Sequence, residues 1–76
     1  MPKITTQSYA VLRKVFELDG WQYISVTGDH IQMKKSGYIR RIVIPKTKEV
    51  PVFIILNDLR TARMSREQYF ELLDII

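Results

Sequence analysis

The side chain best suited to chemistry is the one histidine of the sequence, His30. An imidazole exchanges a proton near neutral pH, so it can act as a general base or a general acid. Gly28 and Asp29 come directly before it, between two runs of alternating residues, and this pattern is typical of a two-residue hairpin turn. His30 is therefore predicted to open a strand in which Gln32 and Lys34 share its face.

Positive charge is concentrated in the same part of the chain. The formal net charge is +4, and between positions 21 and 48 the only acidic residue is Asp29. The basic residues of this region are Lys34, Lys35, Arg40, Arg41, Lys46 and Lys48. A basic middle attracts a polyanion such as a nucleic acid, although the same residues could simply solvate a sheet.

Length and composition set the remaining limits. A chain of 76 residues with 46% hydrophobic residues predicts one folded domain over positions 1–76. It has no cysteine, so disulfides, thiolate chemistry and cysteine zinc sites are excluded. A single histidine without convergent carboxylates also lacks the ligands for a metal. The first residues do not resemble a signal peptide, and no apolar run approaches the roughly 18 residues that span a membrane, so a cytoplasmic protein is expected.

The elements that position His30 follow from periodicity. Apolar residues at three- and four-residue spacing predict a helix over 6–19, capped by Thr5 or Thr6 and ended by Gly20, with Trp21 folding back on the last turn. Strands are predicted over 21–27, 30–35 and 38–44, and Pro45 should end the third. The expected inner face carries Ile24, Val26, Ile31, Met33, Ile42 and Ile44. The expected outer face carries Tyr23, Ser25, Thr27, His30, Gln32, Lys34 and Arg41.

The last third of the chain is predicted to be helical. The β-branched run at positions 52–56 favours a strand by propensity, but its apolar spacing and Pro51 favour a helix, which is the prediction here. Ser65 to Gln68 form a capping box before a second helix with an apolar stripe. The order gives an α+β domain, α-β-β-β-α(-α), with a three-stranded antiparallel sheet, helices on one face and the other face open to a ligand.

These features together resemble HicA-type toxins, small mRNA interferases of bacterial toxin-antitoxin pairs whose fold is similar to a double-stranded-RNA-binding domain. The resemblance extends from Leu12 to Leu73. It rests on residues 19–21 after the first helix, 28–30 at the hairpin, 42–45 at the third strand and 64–73 in the last helix.

The resemblance implies a function and a set of residues. His30 matches the catalytic histidine of the family's Gly-Ser-His turn, in a metal-independent endoribonuclease without cofactor that a HicB-like antitoxin neutralises. The chemistry of RNA cleavage adds cations to this: Lys34 or Arg41, on the face of His30, would stabilise the phosphate, and the basic region assigns Lys35, Arg40, Lys46 and Lys48 to RNA binding as well. The second proton-transfer group stays unassigned. The chain departs from the family at Asp29, Thr47 and Leu56, where serine, histidine and arginine are usual.

Two other functions remain open on the residues alone. A noncatalytic RNA-binding module would bind RNA in a salt-sensitive way without cutting it. A protein-interaction domain would use the same basic face for an acidic partner.

Overall fold

Three helices and one three-stranded antiparallel sheet make up the computed structural model, which describes residues 3–76. In chain order the elements are α1 (Tyr9–Leu18), β1 (Gln22–Thr27), β2 (His30–Lys34), β3 (Ile42–Pro45), α2 (Val52–Ala62) and α3 (Arg66–Ile75). The α+β class and the α-β-β-β-α-α order confirm the sequence prediction.

Helix α1 ends as predicted but begins later. The Gly20 N–H donates to Glu17 O and the Trp21 N–H to Phe16 O at 2.9 Å, which is the Schellman arrangement with Gly20 at φ +97°. At the other end the cap is Ser8, whose hydroxyl accepts from Val11 N at 3.3 Å. The predicted start at residue 6, with Thr5 or Thr6 as cap, is therefore wrong.

Contacts far along the chain explain that later start. Gln7 forms a β-bridge with Val50, and the Val50 N–H donates to Gln7 O at 2.7 Å. The Tyr9 N–H donates to Thr47 O at 3.0 Å. These bonds hold the residues before Tyr9 in an extended conformation, so the helix cannot begin among them.

The strands pair in the order β1-β2-β3, and a β-bulge interrupts the alternation of β1. Tyr23 lies opposite Met33, but the next paired residue is Ser25, opposite Gln32. The extra residue between them moves the side chains of the β1 residues before the bulge to the opposite face of the sheet. Tyr23 was predicted on the outer face, and this is wrong: it shares the face of buried Met33, with the Arg13 guanidinium of α1 4.3 Å from its ring centre.

Strand β3 is shorter than predicted. Residues 38–41 are not part of it, because the Tyr38 N–H donates to Lys35 O in a turn and the Tyr38 ring packs 5.1 Å from that of Trp21. The strand ends at Pro45, as predicted. Its residues Ile42 and Ile44 face inward and are fully buried.

The core lies between the inner face of the sheet and the helices. Its largest fully buried side chains are Trp21, Tyr69, Phe16, Leu12, Ile31, Met33, Ile42, Ile44 and Ile55. Val26, predicted to face inward, pairs with buried Ile31 but is 43% exposed at the sheet edge. Helix α2 contacts β3 and α1 contacts α3, which closes the core on that side.

Both C-terminal helices confirm their predictions. Helix α2 begins after Pro51 and buries Ile55, Leu59 and Ala62. Helix α3 is capped by Ser65, whose hydroxyl accepts from Gln68 N at 3.1 Å. The helical period thus prevails over the strand propensity of residues 52–56 because the helix buries a continuous stripe against the sheet.

Candidate active site

His30 is the first residue of β2, and the turn before it sets its position. Thr27 pairs with His30, so the turn consists of Gly28 and Asp29. Gly28 is at φ +59° and Asp29 has a negative φ, which is the pattern of a type II′ hairpin turn with glycine at its first central position. The predicted hairpin is confirmed.

The other side of His30 is held by β3. His30 pairs with Pro45, and the Lys46 N–H donates to Asp29 O at 2.6 Å. The histidine therefore lies on the central strand, between Thr27 on one neighbour and Pro45 on the other. Its side chain is exposed. A rigid backbone with an accessible imidazole is what a proton-transferring residue needs.

A cleft of about 260 Å³ lies where the edge strand β3 meets α2, and His30 is in its wall. The sheet side consists of His30, Arg41, Val43 and Pro45. The helix side consists of Ile54, Asn57, Asp58 and Thr61. Pockets for drug-sized ligands are about 300–1,000 Å³, so this smaller cleft suits a fragment of a polymer, such as a phosphate with part of a nucleotide.

Arg41 is the cation that shares the cleft with His30. Its Nη1 donates to Gln32 Oε1 at 2.9 Å, and Gln32 Nε2 donates to Thr27 Oγ1 at 3.3 Å. This chain of hydrogen bonds crosses the outer face beside His30 and fixes the guanidinium there. Arginine presents planar N–H donors that match phosphate geometry. Arg41 also lines the neighbouring cleft that contains Lys34, so two of the predicted cations lie along one surface.

The other predicted basic residues are not gathered at His30. Lys35 Nζ lies 3.7 Å from Asp19 Oδ2 and 5.3 Å from the Tyr38 ring centre. Asp19 also accepts from Trp21 Nε1 and Gln68 Nε2, so this lysine belongs to a structural cluster. Lys34, Arg40, Lys46 and Lys48 are exposed, and Arg40 lines a third cleft.

Arginines of α2 and its C-cap extend the basic surface beyond the prediction. Arg60 and Arg63 line the cleft of about 450 Å³ that also contains Arg40. Asn57 and Thr61 line both this cleft and the one at His30, so the two are adjacent. These arginines lie outside the basic region at positions 21–48, so they were not among the predicted RNA-binding residues.

Asp58 is the main residue that the sequence analysis missed. It is 4% exposed, and its Oδ2 has no hydrogen-bond partner among residues 3–76. Burial raises the pKa of the Asp58 carboxyl from 3.8 to about 7, because the charged form is desolvated. A signal was present in the sequence: Asp58 falls in the buried stripe of α2, with Ile55, Leu59 and Ala62.

Two general features complete the description. Within residues 3–76, no three metal-ligating side chains of His, Cys, Asp or Glu come together. In the same part of the chain, no helix has both the length and the apolar character needed to cross a membrane.

The fold and the cleft define an α+β domain with a histidine and an arginine on the open face of its sheet. Residues 11–64, more than half of the chain, match the family model described as HicA toxin of bacterial toxin-antitoxin. The chain therefore belongs to the HicA toxin family, a toxin family whose members work with an antitoxin partner. No curated protein and no solved structure matches the chain.

Proposed function

We propose that this toxin is a metal-independent endoribonuclease that cuts mRNA in the cytoplasm, with His30 as its catalytic residue. The observation that carries the proposal is the shared cleft of His30 and Arg41 on the basic outer face. Family membership supports a toxin, and the cleft supplies a proton-transferring group beside a phosphate-binding cation.

RNA cleavage without a metal needs few groups. The 2′-hydroxyl attacks the neighbouring phosphorus, a base takes the hydroxyl proton, and an acid protonates the leaving 5′-oxygen. His30 is exposed on the central strand and can serve as the base. Arg41, held by Gln32, stabilises the negative charge that develops on the phosphate oxygens.

The wider basic surface would hold the RNA strand. Lys34 lies in a cleft that Arg41 also lines, and Arg40 lies with Arg60 and Arg63 in a second cleft that shares residues 37–39 with the first. The cations of these two clefts would let a single strand continue from His30 past Arg41, with phosphate contacts along that side. Lys35 is assigned a smaller part because of its ion pair with Asp19.

The partner follows from the same surface. We propose a HicB-like antitoxin that covers His30 and the outer face, so that RNA cannot reach the cleft. An acidic surface on that partner would complement the formal net charge of +4. RNA and the antitoxin should therefore compete for the same surface, so that bound RNA weakens binding of the antitoxin.

The decisive experiment compares wild type with His30→Ala on a long unstructured RNA in EDTA, read on a denaturing gel. Cleavage by wild type alone is expected, because general acid-base catalysis contributes about 10²–10⁴-fold. A substrate with 2′-deoxyribose at the cut site should resist wild type. Imidazole added to the solution should partly restore cleavage by His30→Ala, because it can replace the missing side chain in a chain that has no other histidine. RNA binding without cleavage by wild type would reject the nuclease and favour the RNA-binding module.

The role of Arg41 has its own test, with Lys14→Ala as a control that removes the same charge from an exposed site on α1. The slope of log binding constant against log salt changes by about 0.7 for each phosphate contact to single-stranded RNA. Arg41→Ala should flatten the slope by that amount and Lys14→Ala should leave it unchanged. Equal slopes in all three proteins would remove Arg41 from the phosphate site.

A further inference from the structure

The proposed reaction needs two proton-transfer groups, and the chain has one histidine. The titratable or charged residues that line the His30 cleft are His30, Arg41 and Asp58. An arginine stays protonated in proteins, so it cannot exchange the proton. Of the side chains that line the cleft, only Asp58 can therefore act beside His30.

The surroundings of Asp58 are unusual for an aspartate. It lies on the side of α2 that faces the cleft, between Ile54 and Thr61, and it is more than nine-tenths buried. A buried carboxylate is normally paired or hydrogen-bonded, because its desolvation is costly. Asp58 Oδ2 has no such partner among the described residues. A buried, unpartnered acid in the wall of a cleft indicates a group whose partner arrives with a ligand.

We propose that Asp58 is the second proton-transfer group of this site, acting as the general acid while His30 acts as the base. The proposal rests on the ribonuclease function proposed above. It also makes α2 part of the catalytic apparatus, with the scissile phosphate lying in the cleft that His30 and α2 line.

The proton balance of the step is simple. The 2′-oxygen forms a bond to phosphorus as its proton passes to the His30 imidazole. The bond from phosphorus to the 5′-oxygen breaks, and the Asp58 carboxylic acid gives its proton to that oxygen. The products are a 2′,3′-cyclic phosphate, a 5′-hydroxyl, an imidazolium at His30 and a carboxylate at Asp58. Proton exchange with water then restores both groups.

Burial gives Asp58 the protonation state that this role requires. With its pKa raised to about 7, about half of the Asp58 carboxyls are neutral at pH 7, and most are neutral below that pH. A neutral acid can approach a phosphate without charge repulsion and can donate a hydrogen bond to it. An exposed aspartate, ionised at the same pH, would repel the substrate.

The test uses Asp58→Asn, which keeps the shape of the side chain and removes the transferable proton. Cleavage of ordinary RNA is expected to slow by about 10²–10⁴-fold. The same variant is then given an RNA whose scissile 5′-oxygen is replaced by sulfur. A thiolate leaves without protonation, so Asp58→Asn should cut this substrate at nearly the wild-type rate. His30→Ala should stay slow on both substrates, since the 2′-hydroxyl still needs a base.

Asp74→Asn is the matched control, because it makes the same chemical change at an exposed position of α3. It should cut both substrates at the wild-type rate. Ordinary RNA cut equally fast by Asp58→Asn and wild type would overturn the acid role and leave the nuclease intact. An equal defect of Asp58→Asn on both substrates would also overturn it, since a general acid is not needed for the sulfur substrate. No cleavage by wild type would overturn both proposals.

Discussion

Replacing Asp58 with asparagine should stabilise the protein at alkaline pH, and the size of the effect follows from burial. In the unfolded chain the carboxyl has its ordinary pKa of 3.8, whereas in the folded protein burial raises it to about 7. The folded state therefore holds the proton more tightly. Each tenfold change in a protonation equilibrium is worth about 1.4 kcal/mol, so the gap amounts to about 4 kcal/mol.

The pKa of Asp58 is higher in the folded than in the unfolded state, and this decides whether the free energy of unfolding rises or falls with pH. Below pH 3.8 both states carry the proton, and Asp58 imposes no ionisation penalty. As the pH rises from 3.8 to about 7, the unfolded chain releases the proton first, and the free energy of unfolding falls. Above about 7 the folded state is ionised too, and the loss is complete. An asparagine side chain never ionises, so Asp58→Asn should match wild type near pH 4 and exceed it by about 4 kcal/mol at pH 8.

Urea unfolding between pH 4 and pH 8 provides the assay, with the fluorescence of Trp21 as the signal because this side chain is 2% exposed in the folded state. The quantity to compare is the difference between variant and wild type at each pH, which cancels the titration of all other groups. Asp74→Asn should give a difference near zero throughout. A constant difference for Asp58→Asn across this range would refute the claim that the folded protein raises the pKa of this carboxyl.

Three further substitutions test the scaffold by the same urea assay. Gly20→Ala should destabilise the protein by about 1–2 kcal/mol, because φ is +97° and the new Cβ would lie 3.3 Å from Lys35 Cε; unchanged stability would contradict the Schellman assignment. Ser65→Ala should cost about 0.5–2 kcal/mol by removing the cap of α3, and a cost near zero would show that the cap is not needed. Tyr69→Phe should be neutral or stabilising, because the buried hydroxyl has no partner within residues 3–76; a loss above about 1 kcal/mol would reveal a hydrogen bond to that hydroxyl.

Local patterns were enough to predict most of the fold. The glycine after α1, the turn at Gly28 and the cap at Ser65 each depend on residues within a few positions, and all three are present. Helix α2 was the harder case, since its β-branched residues favour a strand. The helical period of its buried stripe decided the question correctly, because burying a continuous face outweighs small differences in propensity.

The errors arose where distant parts of the chain meet. The first helix starts at Tyr9 because Gln7 pairs with Val50, a contact across more than half of the chain. Tyr23 faces the helices because a bulge adds one residue to β1. An alternation rule has no means of locating a bulge, which depends on the register of the partner strand.

The candidate site also contains one residue that local sequence predicts, His30, and one that depends on contacts between distant parts of the chain, Asp58. His30 could be predicted from the sequence because it follows a turn and is the one histidine of the chain. Asp58 could be placed beside it only after α2 had been packed against β3. Its position in the buried stripe of α2 is unfavourable for folding, and a neutral polar or apolar residue would serve the core better. A residue that lowers stability near a reactive group is typical of sites where function opposes stability. One variant, Asp58→Asn, should thus gain stability at pH 8 and lose turnover, and a purely structural aspartate would not give that combination.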